Sequence, residues 1–556
     1  MAKQPATTEN KQSQIDAHGS LIKGSAWITA GSVFSRVLGA LYIIPWTIWM
    51  GADFQSGNAI FSKGYNVYSL FLVISAAGIP GAISKQVAHY NSLNEYALGQ
   101  RLYRQGLKIM ALFGFIGAVV LFFGAPIFSV VDIATWKIDT RTIPLYRALS
   151  FALLVIPVMS ITRGFFQGYN EMAPSALSQF FEQLGRVIYM LLATFLIMRV
   201  QHGNYVSAVT QSTFAAFIGA LCGIAVLVWY YMRRKPELDD LAAGSANAVD
   251  ISTGEIIRQI IHQAIPFIIL DSGITFFQIF DQYSFYPMMA SVVNATQTQL
   301  DNYFAIFNFN AQKLVMIIIS LATALSLTVV PLLSGAHAQK DFKGIRKQIN
   351  DALELFLFVM VPAAFGLSAL AKPVYTLFYG ANPDLDTYVL QFYCYLAIFL
   401  GLFTVLAAIL QGLYMNKKAI IYLLVGFAVK AVMQYPMIAL FKVFGPMIAT
   451  CLGIVVTCGL MLRALDKLYG FNTGRLLRRS FGIVIFSTIM LIAVTIVVKI
   501  IAVLIDPNVR TYTIFPLGLG VITGVWIYAL LTLKTKLADR ILGPRVDILR
   551  RILKIK

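Results

Sequence analysis

The sequence predicts an all-α polytopic membrane protein with about 14 transmembrane helices. Of the 556 residues, 58% are hydrophobic and only 12% are charged, and apolar runs of about 20 residues recur along the whole chain. Soluble proteins carry about 25% charged residues, whereas about 20 apolar residues span the roughly 30 Å hydrocarbon core of a bilayer. The composition therefore favours a chain embedded in a membrane over a soluble protein.

The predicted spans are separated mostly by short connections. They lie near residues 24–49, 65–84, 106–129, 148–167, 175–198, 206–232, 258–284, 304–334, 351–371, 389–413, 419–441, 445–465, 481–504 and 512–533. An even number of spans places both termini on the same side of the membrane.

The positive charges indicate which side that is. With the N-terminus in the cytoplasm, the cytoplasmic segments hold 30 of the 44 Lys and Arg residues and the outer segments hold nine. Cytoplasmic loops are the ones that carry excess Lys and Arg, so both termini are predicted to be cytoplasmic. The net charge of +19 is then mainly a topology signal facing anionic membrane lipids, and nucleic acid is not an expected partner.

The chain is predicted to divide into six segments. Residues 235–257 form a small, polar and acidic linker that cannot bury a core, and the basic amphipathic tail is typical of an interfacial helix. The segments are a cytoplasmic N-terminal stretch (1–23), a lobe of six helices (24–234), the linker (235–257), a second lobe of six helices (258–468), two extra helices (469–533) and the cytoplasmic tail (534–556).

The two predicted lobes resemble each other in sequence. The spacing from a glutamine to a basic residue is the same in both, and two proline positions match in the same order. The matched residues are Gln167 and Arg186 with Gln411 and Lys430, Pro126 with Pro373, and Pro80 with Pro331. Six spans per repeat make the two lobes parallel, and parallel repeats with a site between them are a transporter architecture.

Five basic residues fall within the predicted spans. They are Arg36, Arg163, Arg186, Lys313 and Lys430. A charge inside the membrane is costly and usually faces a cavity or a partner. Each residue also has a structural interpretation. Arg163 would reach the membrane interface, and Arg186 would pair with Glu182 at (i, i+4) spacing. The other three would each pair with a residue on another helix. The functional interpretation is a cationic cavity for an anion, since the guanidinium fork of arginine suits phosphate.

Three acids also fall within the spans: Glu182, Asp271 and Asp281. They are candidates either for binding a coupling cation or proton, or for pairing with the basic residues. Because basic residues outnumber acids in the spans, an anionic substrate is favoured over a cationic one.

Nothing in the sequence indicates catalysis. The four cysteines lie in apolar runs without metal-ligand spacing, none of the five histidines forms a metal motif, and no phosphate-binding loop of the Walker type occurs. The prediction is a transporter without a metal or cofactor, and not an enzyme. A membrane glycosyltransferase and a non-transporting scaffold remain as alternatives of other classes.

Two stretches resemble a known family. The first span contains Ser35-Arg36-Val37-Leu38-Gly39, and residues 163–186 read RGFFQGYNEMAPSALSQFFEQLGR. They resemble the lipid II flippases of the MurJ type, in the Gram-positive branch with polysaccharide-export and stage V sporulation B-like members. This family belongs to the multidrug/oligosaccharidyl-lipid/polysaccharide exporter superfamily, and the resemblance covers essentially the whole chain.

The resemblance implies movement of the undecaprenyl-diphosphate-linked peptidoglycan precursor, lipid II, to the outer leaflet of the bacterial cytoplasmic membrane by alternating access. It implies a cationic central cavity, in which Arg36 falls on a family arginine and Lys313 replaces another, while Tyr42 stands where the family has a further arginine. The alternatives are another undecaprenyl-diphosphate-linked glycan and an ion-coupled drug exporter. The expected partners are the lipid-linked glycan, anionic lipids and cell-wall synthesis proteins.

Overall fold

The structure is a computed structural model. It describes residues 38–39, 41–76, 79–132, 135–169, 171–245, 254, 258, 265–266, 268–381, 383–470, 473–542, 546 and 550. The described residues form two compact units. The first contains residues up to Met50, Lys63–Val130 and Trp136–Ile268, and the second contains Gly51–Ser62, Val131–Thr135 and the residues from Ile269 onward.

The N-terminal half of the described chain is almost entirely helical. Its α-helices are α1 (Ile43–Met50), α2 (Phe54–Ala76), α3 (Ile79–Ser92), α4 (Tyr96–Phe123), α5 (Ala125–Phe128), α6 (Ile143–Gly168), α7 (Met172–Phe195) and α8 (Tyr205–Ala243). Two short strands, β1 (Val130–Asp132) and β2 (Lys137–Ile138), pair between α5 and α6. Short 3₁₀ turns at Gly51–Asp53 and Thr140–Thr142 precede α2 and α6, and a π-helical turn at Leu196–Val200 follows α7.

The C-terminal half continues the same pattern. Its helices are α9 (Gly273–Val292), α10 (Gln297–Ala305), α11 (Gln312–Ala338), α12 (Phe342–Ala369), α13 (Ala371–Tyr379), α14 (Asp384–Gly412), α15 (Asn416–Phe441), α16 (Gly445–Tyr469), α17 (Thr473–Leu504), α18 (Ile514–Lys534) and α19 (Leu537–Leu542). A π-helical turn at Ile306–Ala311 joins α10 to α11, and a 3₁₀ turn at Lys442–Phe444 joins α15 to α16.

The predicted fold class is confirmed. Among the residues that the structure describes, ten helical stretches are long and apolar enough to cross a membrane, and one of them, Asn416–Tyr469, contains two predicted spans. The chain is therefore an all-α polytopic membrane protein. The division into two parallel lobes with two added helices stays a prediction.

Several predicted boundaries differ from the structure, and contacts within the protein explain two of them. Helix α2 begins at Phe54, 11 residues before the predicted span, because its polar residues have buried partners: Asn58 donates to Asn310 Oδ1 and Ser62 donates to the Asn308 carbonyl. Helix α8 runs into the predicted linker as far as Ala243. The side chain of Leu238 is buried in the core of the first unit, which stabilises this extension.

Each unit is built around a central buried helix. In the first unit this is α6, whose Tyr146 and Phe165 are fully buried, and in the second it is α14. Both helices end in Gln-Gly, at Gly168 and Gly412, and a Cβ on either glycine would lie 3.0 Å from a backbone carbonyl of a neighbouring helix. The glycines therefore allow a close helix crossing at the same point of both central helices.

The last two long helices attach to α12. Arg479 of α17 forms an ion pair with Glu354 of α12, whose side chain is only 2% exposed. Further along, the hydroxyl of Tyr528 on α18 donates to the carbonyl of Phe358 at 2.9 Å. These contacts hold α17 and α18 against α12 within the second unit.

Outside the spans, Asp139 joins the loop after β2 to α2. Its Oδ2 accepts a hydrogen bond from Lys63 Nζ at 3.0 Å, and its Oδ1 accepts one from Arg141 Nε at 2.8 Å. Burial alone would raise the pKa of Asp139, but the positive charges of Lys63 and Arg141 outweigh it and lower that pKa to about 2.

Candidate functional site

A cluster of three charges lies between α6 and α7 of the first unit. Arg163 Nη2 donates to Glu182 Oε2 at 2.8 Å, and Arg186 Nη2 donates to Glu182 Oε1 at 3.2 Å. One carboxylate thus serves two guanidinium groups, and the cluster carries a net charge of +1. The (i, i+4) pair of Glu182 and Arg186 is the one that helical spacing predicts, and Arg163 joins it from a different helix.

Small and polar residues position this cluster. The Ser178 hydroxyl accepts from Arg163 Nη2 at 2.8 Å and donates to the Gly223 carbonyl on α8 at 3.0 Å. On the same helix, a Cβ at Gly219 would lie 2.5 Å from the Glu182 carbonyl and 3.0 Å from the Arg186 Cβ. Glycine is therefore required for α8 to approach α7 at the level of the cluster.

The cluster is partly exposed. The side chains of Arg163, Glu182 and Arg186 are 14%, 17% and 20% exposed, so all three are partly accessible. The Nε atom of Arg186 is buried and has no hydrogen-bond partner among the described residues. A positive charge that the one carboxylate leaves uncompensated is what a phosphate group can bind.

Lys313 lies in a different environment, in the second unit. It follows the π-helical turn Ile306–Ala311 by two residues, and such turns are frequent at functional sites. Its ammonium nitrogen is 5.9 Å from the ring centre of Phe61 and 5.4 Å from that of Phe309. Both distances allow a cation–π interaction, and the side chain is half-buried.

Lys430 lies in a closed environment. It is fully buried on α15, and its ammonium donates to Asp281 Oδ2 at 2.7 Å, Thr450 Oγ1 at 2.7 Å and the Phe277 carbonyl at 2.9 Å. A lysine has three N–H donors, and all three are used inside the protein. In this structure Lys430 is thus unavailable to a substrate, and we do not retain it in the candidate cationic site.

The two matched basic residues share one packing feature. A Cβ at Gly453 of α16 would lie 3.2 Å from the Cβ of Lys430, as one at Gly219 would lie 3.0 Å from that of Arg186. Each basic residue therefore stands where a glycine of the next helix makes room for it. The two units differ in the acid that pairs with the basic residue. Arg186 pairs with Glu182 on the same helix, and Lys430 pairs with Asp281 on α9.

The remaining candidates are dispersed. Arg36 lies outside the described residues. Asp271 is exposed and stands just before Ser272, where the helix turns before α9 begins. The structure therefore brings together Arg163, Glu182 and Arg186 in one unit and Asp281 and Lys430 in the other.

Sequence reasoning missed a cluster of buried amides in the second unit. Asn310 Nδ2 donates to Gln55 Oε1 at 2.9 Å and to the Tyr375 hydroxyl at 2.7 Å. Asn58 donates to Asn310, and Ser62 donates to Asn308 Oδ1 at 2.5 Å. The sequence feature that indicates this cluster is the Asn308-Phe309-Asn310 stretch inside an apolar run, because buried polar groups need hydrogen-bond partners.

Within the described part of the chain, the His, Cys, Asp and Glu side chains form no group of three that could hold a metal ion. The absence of a metal or cofactor stays a prediction.

The chain is similar in sequence to known transport proteins. Residues 21–337 match the family described as polysaccharide biosynthesis protein. The chain is 36% identical over 484 residues to the lipid II flippase MurJ of Bacillus subtilis (strain 168), covering 86% of this chain and 88% of that protein.

Solved structures share the fold. A lipid II flippase MurJ in an inward closed conformation aligns with a TM-score of 0.57 at 14% identity, covering 91% of this chain and 99% of that one. An inward-facing multidrug resistance MATE family transporter of the MOP superfamily aligns with a TM-score of 0.61 at 12% identity, covering 78% and 94%. At these identities the likeness concerns the fold alone.

Proposed function

Because the chain belongs to the family of the lipid II flippase MurJ, we propose that it moves lipid II from the inner to the outer leaflet of the cytoplasmic membrane. The observation that carries the proposal is the 36% identity to the Bacillus subtilis flippase, which extends over 88% of that protein. A sequence similarity that covers so much of both chains also covers the membrane spans that would contact a substrate.

The charges within the spans suit this substrate. Lipid II carries a diphosphate, so its headgroup needs positive charge inside the membrane. Arg163 and Arg186 share one acid and leave a net positive charge, and both are partly exposed. We propose that Arg36, Arg163, Arg186 and Lys313 each supply positive charge for the diphosphate along its path. Lys430, which the sequence placed in this group, neutralises Asp281 instead.

The proposed transport needs no covalent chemistry. The chain would act by alternating access, with the membrane potential or an ion gradient as the driving force, and with both termini in the cytoplasm. The protein would therefore be a transporter and not an enzyme. Its task is to lower the cost of moving a charged headgroup through hydrocarbon, which its buried basic side chains do by replacing water as partners of the phosphates.

Two related functions are the alternatives. The family description as polysaccharide biosynthesis protein favours another undecaprenyl-diphosphate-linked polysaccharide unit as substrate. The second alternative is an ion-coupled drug exporter, a class whose solved members share this fold. The exporter would depend on accessible acids. Asp271 is exposed, whereas Asp281 has its negative charge neutralised by Lys430 and Glu182 is shared by two arginines.

A rescue experiment tests the proposed site. In a bacterium whose lipid II flippase can be switched off, outer-leaflet lipid II is measured with the wild-type chain and with Arg36→Ala, Lys313→Ala or Arg186→Ala. Lys418→Ala, which removes an exposed charge in the first turn of α15, is the matched control.

We expect the wild type and the control to restore outer-leaflet lipid II, and the three variants to restore much less at equal protein levels. Full activity of all three variants would overturn the cationic site. Failure of a well-expressed wild type would overturn the choice of lipid II, and the same strain with a different lipid-linked glycan would then be tested.

A further inference from the structure

The ammonium group of Lys430 lies in a cage of oxygen atoms inside the second unit. Its three oxygen neighbours are a carboxylate oxygen of Asp281, the hydroxyl of Thr450 and the backbone carbonyl of Phe277, at 2.7, 2.7 and 2.9 Å. The ring centre of Phe277 lies 5.1 Å from the same nitrogen. Three helices, α9, α15 and α16, thus contribute to the cage.

The hydrogen-bond directions around the cage all orient oxygen atoms towards a cation. The Thr450 hydroxyl donates its proton to the Pro446 carbonyl at 2.8 Å, which leaves its lone pairs facing Lys430. Gln434 Nε2 donates to the other Asp281 oxygen at 2.8 Å and holds the carboxylate in place. The polar groups of the described residues around the ammonium are therefore arranged as acceptors for a positive charge.

A carboxylate, a carbonyl and a hydroxyl are also the ligands that hard metal cations prefer. With Lys430 present, the ammonium balances the charge of Asp281, and the residue is fully buried. Without the ammonium, the same oxygens would surround an uncompensated carboxylate, which is strongly unfavourable in a buried site. The cage would then have the chemistry of a monovalent cation site.

We propose that Lys430 is a tethered cation that permanently occupies a monovalent-cation site formed by Asp281, Thr450 and Phe277. The wild-type chain then takes up no Na⁺ or K⁺ at this cage, and its cycle does not depend on such an ion there. The occupation of this cage by Lys430 does not depend on which substrate the chain moves.

The test compares five forms of the full chain, purified in detergent: the wild type, three forms altered at Lys430, and Asp281→Asn alone. Thermal stability is measured in NaCl, KCl and choline chloride at matched ionic strength. Lys430→Ala removes the ammonium and opens space. Lys430→Met removes the charge but fills a similar volume. Lys430→Ala combined with Asp281→Asn opens the space and also removes the negative charge.

We expect Lys430→Ala to be destabilised in choline chloride and to recover saturably with Na⁺ or K⁺, since a ligand that binds the folded state stabilises it. Lys430→Met and the double variant should show no such recovery. The wild type should have the same Tm in all three salts.

Two outcomes would overturn the proposal. One is a folded Lys430→Ala variant that no monovalent cation stabilises above its choline value. The other is a wild type that Na⁺ or K⁺ stabilises, with that stabilisation lost in Asp281→Asn, because the cage would then accept an ion beside the lysine. The comparison of the wild type with Asp281→Asn remains decisive if Lys430→Ala does not fold.

Discussion

The ammonium nitrogen of Lys430 lies 2.7 Å from Oδ2 of Asp281, although 149 residues separate the two along the chain. Both side chains are buried, with exposures of 0% and 9%. The pair joins α15 to α9 and removes one basic and one acidic residue from the charges that a substrate or a coupling ion can reach.

Breaking this pair from one side should destabilise the protein strongly. Lys430→Met leaves a buried carboxylate without its counter-charge, and Asp281→Asn leaves a buried ammonium, so each should lose about 3–5 kcal/mol. The double variant with Lys430→Met and Asp281→Asn should lose less stability than the sum of the two single variants, because neither charge is left behind. Tm measurements on all four forms close the cycle, and strictly additive losses would show that the two residues do not interact.

The close approach of α15 and α16 gives a second prediction. A Cβ at Gly453 would lie 2.5 Å from the Gly426 carbonyl, whereas one at Gly459 on the same helix would meet nothing within 4 Å. Gly453→Ala should therefore cost about 1–3 kcal/mol through overpacking. Gly459→Ala should be neutral or slightly stabilising, since alanine favours helix. Equal Tm values for the two variants would contradict the packing that we describe.

The Asp139 contacts predict a specific acid sensitivity. The pKa of Asp139 is lowered to about 2 in the folded protein, from an ordinary value of 3.8. A lowered folded-state pKa contributes stability that is present above the unfolded pKa and is lost as the pH falls from about 4 towards 2. The contribution is at most about 2.5 kcal/mol.

Tm measured from pH 5 down to pH 2.5 checks this acid sensitivity. Asp139→Asn should have a lower Tm at pH 5 and a shallower decline on acidification than the wild type. Parallel declines of the two proteins would show that other carboxyl groups cause the acid sensitivity.

The attachment of the last helix pair depends on one of two adjacent arginines. Arg479 pairs with the buried Glu354, while Arg478 is exposed. Arg479→Ala leaves Glu354 buried without this counter-charge and should cost about 3–5 kcal/mol, whereas Arg478→Ala should change stability by less than about 0.5 kcal/mol. Limited proteolysis and Tm compare the two variants. If Arg478→Ala were the more damaging change, the pairing would be wrong.

Features with a local cause could be predicted from the sequence. Apolar runs long enough to cross a bilayer indicated the fold class, and helical spacing indicated the Glu182–Arg186 pair. These predictions work because each depends on residues within one helix.

Features with a distant cause could not be predicted. The partner of Lys430 is an acid on another helix, and the sequence offered both a substrate role and a distant partner without deciding between them. The start of α2 was hidden because Asn58 and Ser62 look unsuited to a membrane until their partners Asn310 and Asn308 are known. In both cases tertiary contacts satisfy polar groups that a hydropathy pattern counts as unfavourable.

Purified protein in liposomes tests most directly whether the chain moves lipid II between leaflets. Lipid II is placed on one leaflet, and its appearance on the other is followed with and without the chain, and with Arg186→Ala and Lys418→Ala. We expect the wild type and Lys418→Ala to accelerate the transfer and Arg186→Ala to do so much less. Transfer no faster than in protein-free liposomes, from a wild-type protein shown to be folded, would contradict this expectation.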